Sequence, residues 1–145
     1  YGSFMQSKMF DEGVKCNDCH NAHSLKLKFE GNKLCTQCHV PANYDTENHY
    51  FHEKNTEASL CINCHMTGKE YMGNDFRRDH SFRIPRPDQS EAYGTPNACT
   101  GCHSDKSNQW ASKVIIDKFG SQRASHFSDN LLLSSQHTLS QKQIN

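Results

Sequence analysis

Eight cysteines fall in four pairs, Cys16/Cys19, Cys35/Cys38, Cys61/Cys64 and Cys99/Cys102. Each pair is Cys-x-x-Cys, and each is followed at once by histidine: His20, His39, His65 and His103. Three chemistries use paired cysteines. Fifteen residues between Cys19 and Cys35 fit a four-thiolate zinc spacing, but 34 residues between Cys64 and Cys99 do not. Structural disulfides suit an even count and leave the connectivity open. Covalent c-type haem uses Cys-x-x-Cys-His. The histidines decide, because neither zinc nor a disulfide needs one after the second cysteine. With 10 histidines in 145 residues, four matches in four places by chance is on the order of one in 10⁴–10⁵. The spacing fits two thiols adding across the two haem vinyl groups, with the following histidine under the iron.

The other histidines are His23, His49, His52, His80, His126 and His137. Four haems need four further axial ligands, so six candidates allow bis-histidine ligation throughout. His23 is too close to His20 to reach the other face of the same haem and is expected to serve a neighbouring one. His49 and His52 lie one helical turn apart and suit two haems or one. His80 stands between the third and fourth motifs. His126 and His137 lie beyond the last motif, and His137 is the weakest candidate. Methionine would be a rival ligand. Met66 directly follows His65 and cannot reach the opposite face of that haem. With histidine in surplus, Met5, Met9, Met66 and Met72 read as packing.

The elements positioning these residues are short. Phe4, Met5, Met9 and Phe10 allow a helix near the start, where chain ends are often poorly ordered. From 16 to 106 the chain is punctuated by Gly, Asn, Pro and Asp and reads as loops and short helices, the motifs on helical turns. Four of the five arginines, Arg77, Arg78, Arg83 and Arg86, fall within ten residues. Pro85 and Pro87 are expected to hold that stretch extended. A solvated basic loop and pairing with haem propionates are both open for these arginines. After Cys102, Ser104 or Asp105 can cap a helix in which Trp110, Val114, Ile115 and Phe119 recur, and Gly120 stops it. A second apolar-spaced stretch covers Phe127 to Leu133. The expected fold is mainly irregular and α: a small multihaem cytochrome c wrapped around four haems, little or no β-sheet, with C-terminal helices. The expected division is a tetrahaem core over 1–106 and a helical segment over 107–145 packing on it.

Composition agrees with a core made partly of cofactor. Hydrophobic residues make up 34% and mean hydropathy is −0.89, too polar for an ordinary core. Sixteen basic residues balance sixteen acidic ones, leaving no excess to drive electrostatic nucleic-acid binding. No apolar run approaches a membrane span. Covalently held porphyrins would supply the missing apolar volume. Residue 1 is Tyr and no leader-type segment follows, which reads as a mature chain or a piece of a longer one.

Several segments resemble the doubled Cys-x-x-Cys-His class of multihaem c-type cytochromes. They include Cys19-His20-Asn21-Ala22-His23-Ser24, His49-Tyr50-Phe51-His52, Cys64-His65-Met66 and Thr95-Pro96-Asn97-Ala98-Cys99. The most specific is Arg77-Arg78-Asp79-His80-Ser81-Phe82-Arg83-Ile84-Pro85-Arg86-Pro87-Asp88. The resemblance is nearest to exported multihaem proteins with tetratricopeptide-like repeats after the haem domain, and it covers residues 1 to about 120. It implies His23, His49, His52 and His80 as ligands, leaves His126 as a further one, and implies more haem motifs upstream in a longer precursor.

These readings converge on an electron carrier with four covalent haems c outside the cytoplasm, periplasmic or extracellular. Its partners would be redox proteins or neighbouring copies of itself. Two alternatives are a subunit of a multihaem oxidoreductase with one open iron position and a protomer of a haem-lined filament. Six histidines beyond the motifs argue against an open iron, and no Cys-x-x-Cys-Lys motif occurs.

Overall fold

The computed structural model describes residues 1–123 and 127–135. His126 and His137 lie outside the described residues. The chain forms two compact units, Tyr1–Pro85 and the residues from Arg86 onward. The fourth motif therefore groups with the helices that follow it, whereas the sequence alone sets a division after residue 106.

The first unit begins with a 3₁₀ turn, Phe4–Gln6, and α1, Lys8–Asp11. Ser7 joins them: its hydroxyl donates to the Phe4 carbonyl at 2.7 Å and accepts from the Phe10 N–H at 3.1 Å. Buried Phe4 meets Phe10 and Phe82 edge to face, with centroids 5.6 and 6.2 Å away. Ser3 donates to Asp79, and Arg83 donates to Gln6 at 3.2 Å. These contacts pin the start of the chain to the 79–83 segment.

The motifs sit on helical turns, as their spacing predicts. α2, Cys16–Cys19, starts where the Lys15 N–H donates to Asp18 at 2.7 Å. α3, Lys33–Thr36, carries Cys35, and the His39 N–H returns to the Cys35 carbonyl at 3.0 Å. Then come α4, Pro41–Tyr44, with proline in its first turn, and α5, Glu47–Tyr50, which carries His49. Phe51, at φ 64°, ends α5 in the left-handed region. A 3₁₀ turn, Glu57–Ser59, leads into α6, Cys61–His65.

The expectation of little or no sheet meets one antiparallel hairpin, β1, Gly68–Tyr71, with β2, Asp75–Arg78, in register from Gly68 opposite Arg78 to Tyr71 opposite Asp75. The Phe76 ring lies across Gly68 so closely that any side chain there would collide with it. The Arg78 guanidinium stands 5.6 Å from the centre of the same ring.

In the second unit, Pro87 does not extend the chain. It occupies the first turn of α7, Pro87–Tyr93, where its missing N–H costs nothing. α8, Ala98–Cys102, carries the fourth motif, followed by α9, Asn108–Phe119, and α10, Phe127–Ser135. The cap of α9 is Ser107, which accepts from the Trp110 N–H at 3.1 Å, rather than Ser104 or Asp105. Gly120, at φ 80°, stops the helix as expected. α7 packs on α9 around Ala111, Pro87, Ser90 and Ser112.

Few large side chains are buried: Phe4, Leu34 and Tyr50 in the first unit, Pro87 in the second. Meanwhile Leu25, Leu27, Phe29, Val40 and Ile84 are exposed, Leu25 at 73% and Ile84 at 72%.

Candidate haem sites

None of the eight motif cysteines is paired in a disulfide. Burial raises the Cys19 and Cys99 thiols, and nearby Asp18 adds to the effect at Cys19. Interaction between the Cys35 and Cys61 thiols lowers Cys61 and raises Cys35, and burial adds to the rise at Cys35. Among the described residues, no three His, Cys, Asp or Glu side chains converge on a metal-sized site.

The histidines are oriented in a consistent way. His20 Nδ1 pairs with the Leu25 carbonyl at 2.8 Å, His65 Nδ1 with Arg83 O at 2.9 Å, His80 Nδ1 with Arg78 O at 3.0 Å, and His52 Nδ1 with Tyr50 O. A carbonyl held by Nδ1 fixes the ring and leaves Nε2 as the nitrogen that reaches a metal. Leu25, Phe51 and Phe82 all have positive φ, at 58°, 64° and 48°. Each is within two residues of a candidate ligand, where unusual backbone is held by function more often than by chance.

Two pairs of these histidines face each other. His20 and His80 lie with ring centroids 6.4 Å apart and planes 28° apart, and His49 and His65 lie 6.1 Å and 15° apart. Two metal–imidazole bonds of about 2.0–2.1 Å, plus the distance from each nitrogen to its ring centre, come to about 6 Å. Both separations fit one metal between two rings. Each pair joins a motif histidine to one from elsewhere in the chain. Burial, then the neighbouring His65, lowers His49 and favours the neutral imidazole that binds metal.

The other expected ligands are placed differently. His39 meets Tyr44 edge to face at 5.6 Å, and Tyr44 meets His49 at 5.4 Å. Tyr44 thus separates the second motif from the His49–His65 pair. His103 lies against Trp110, with centroids 5.1 Å apart. His23 is exposed, its backbone N–H donating to Asn21 at 3.0 Å. His52 is half-buried and turned by its bond to Tyr50. The Tyr50 hydroxyl is buried without a hydrogen-bond partner, a donor available to a bound group.

Each arginine of the cluster has a protein partner, and Arg83 donates to Gln6. Arg77 pairs with Asp75 and lies 5.5 Å from the centre of the Tyr71 ring. Arg86 binds Asp88 through both Nε and Nη2 and reaches Asp129 at 3.3 Å. Arg78 donates to the carbonyls of Ile62 and Met66 at 3.2 and 3.0 Å and to the Asn63 side chain at 2.9 Å, closing the end of α6.

Sequence reasoning missed this role of Arg78, and also Asn32 and Asn97. Asn97 accepts from the Thr100 N–H at 3.0 Å and caps α8. Its position two residues before Cys99 was the available signal, since asparagine favours helix caps. Arg78 gives no such local sign.

The family description for the doubled CXXCH motif matches residues 8–44, which contain the first two motifs. Residues 8–44 resemble a haem-attachment segment. The match supports a multihaem c-type cytochrome motif, covalently bound haem c and haem-based electron transfer. It does not extend to tetratricopeptide-like repeats. No curated protein and no solved structure matches the chain.

The residues fit the group. Two cysteines precede a histidine in each motif, two pairs of imidazoles have centroids 6.4 and 6.1 Å apart, and exposed apolar side chains and the buried Tyr50 hydroxyl suit an apolar group with polar edges.

Proposed function

We propose that the chain holds four haems c, one at each motif, and passes electrons among them and to redox partners outside the cytoplasm, in the periplasm or beyond the cell. The supporting observation is the opposed pairing of His20 with His80 and of His49 with His65 at the separation of a shared metal. In this reading Cys16 and Cys19 hold the haem of His20 and His80, and Cys61 and Cys64 hold that of His65 and His49. Cys35 and Cys38 hold the haem of His39, and Cys99 and Cys102 that of His103. Those two haems take one further donor each from among His23, His52 and His126.

Attachment is redox-neutral. Each S–H adds across one vinyl C=C, sulfur bonding to one carbon and hydrogen to the other. Once bound, haem supplies one-electron exchange at iron, with bis-histidine ligation favouring lower potentials than His/Met. The chain fixes the imidazoles through their Nδ1 bonds and surrounds the porphyrins with side chains such as Leu25, Leu27 and Ile84. The partners are redox proteins or further copies of this chain.

The test is intact mass of the exported protein, with haem mapped to motif peptides after acid-acetone extraction. Four haems that remain with the chain, all low-spin by EPR and near-infrared spectra, are expected. A colourless, zinc-loaded protein would end the reading. One high-spin haem per chain that binds nitrite or cyanide would turn it towards an enzyme.

A further inference from the structure

Asn32 touches both the second and the third motif. Its backbone carbonyl accepts from the N–H groups of Cys35 and Thr36 at 3.0 and 2.9 Å, opening the turn that carries the second motif. Its side-chain Oδ1 accepts from the Cys61 N–H at 2.9 Å, at the first residue of the third. Its Nδ2 donates to Ser59 O at 2.9 Å and to Asp45 at 2.8 Å, which fixes the amide plane. One residue therefore holds the start of two haem-binding turns whose first cysteines are far apart in sequence. The bonds are partly buried, beside buried Leu34 and Ser59, where hydrogen bonds hold geometry more firmly than in water.

We infer that Asn32 is a positioning residue that sets the spacing of the haems on the second and third motifs by holding the backbone N–H groups of their first attachment residues, Cys35 and Cys61, on its own carbonyl and its side chain. This deepens the haem reading above and rests on it. Two macrocycles anchored on turns that share one clamping residue have neighbouring edges, which favours electron exchange between them. Their irons also interact electrostatically: reducing one opposes reducing the other, more strongly the shorter the distance. A residue that merely caps α3 would leave that interaction unchanged when replaced.

The test uses the haem-loaded protein and Asn32→Ala, with haem first mapped to the peptides containing Cys35 and Cys61. The parent is expected to show a bisignate Soret circular-dichroism couplet and a broadened potentiometric titration. The variant is expected to keep its low-spin spectrum, lose most of the couplet and titrate over a narrower range. Full haem loading with an unchanged couplet and titration would overturn the role of Asn32. If the variant does not mature, an experimental structure of the parent decides: Asn32 bonded to the N–H groups of both Cys35 and Cys61 supports the clamp, and loss of either bond refutes it. Absence of haem from either peptide in the parent would instead defeat the underlying haem reading.

Discussion

His49 and His65 present nearly parallel rings, 15° apart, with centroids separated by 6.1 Å, although 15 residues lie between them in the chain. α5 supplies one ring and α6 the other. The carbonyl of Arg83 fixes His65 through Nδ1. His49→Ala is expected to convert one haem from low to high spin while all four stay attached. His80→Ala is expected to do the same to a different haem, and the double variant to two. EPR and near-infrared magnetic circular dichroism read the count, and a spectrum unchanged in His49→Ala would refute the pairing.

His23 is three residues from His20, and His80 already stands opposite His20. His23→Ala is therefore expected to leave the His20 haem six-coordinate. If His23 serves a neighbouring haem, that haem turns high-spin and electron transfer through the protein slows. A mutant spectrum identical to the parent's would make His23 a surface residue.

Arg78→Ala removes three donations that close α6, to Ile62 O, Met66 O and the Asn63 side chain. The expected cost is about 2–3 kcal/mol, because charge-assisted bonds are lost and carbonyls are left without partners. Arg78→Lys is expected to recover only part of it, since an ammonium cannot reproduce the planar fork. Denaturant midpoints check the stability, and haem on the Cys61–Cys64 peptide checks the local effect.

The Arg86 guanidinium, through its hydrogen bonds to Asp88, holds that carboxyl below its ordinary range. A carboxylate whose folded value is depressed adds stability above its unfolded value of about 3.9, and that stability is lost as pH falls through the folded value. The second unit is thus expected to weaken below about pH 4. Arg86→Ala is expected to flatten that part of the profile and to cost about 1 kcal/mol or less near neutrality. Urea titrations followed by Trp110 emission, at neutral and acid pH, measure both.

The attachment chemistry was legible from the sequence because it is local. Two thiols and a histidine within five residues reach one porphyrin edge and its iron whatever the rest of the chain does, and one helical turn is enough to present them. The motif turns, α9 with its stop at Gly120, and the helix from Phe127 were legible for the same reason: caps, glycine and apolar spacing act over a few residues. Partnerships across the fold were not. His20 faces His80 across 60 positions, and Arg78 closes a helix that begins 17 residues earlier. Asn32 reaches the N–H of Cys61, and Arg86 binds Asp88 and Asp129. Such contacts depend on how loops return, and in a chain with few apolar residues no hydrophobic period marks the path. The tertiary structure decided which imidazoles oppose each other, which arginines are occupied by protein groups and which motif turns share Asn32, because only folding sets distances between residues that the backbone leaves far apart.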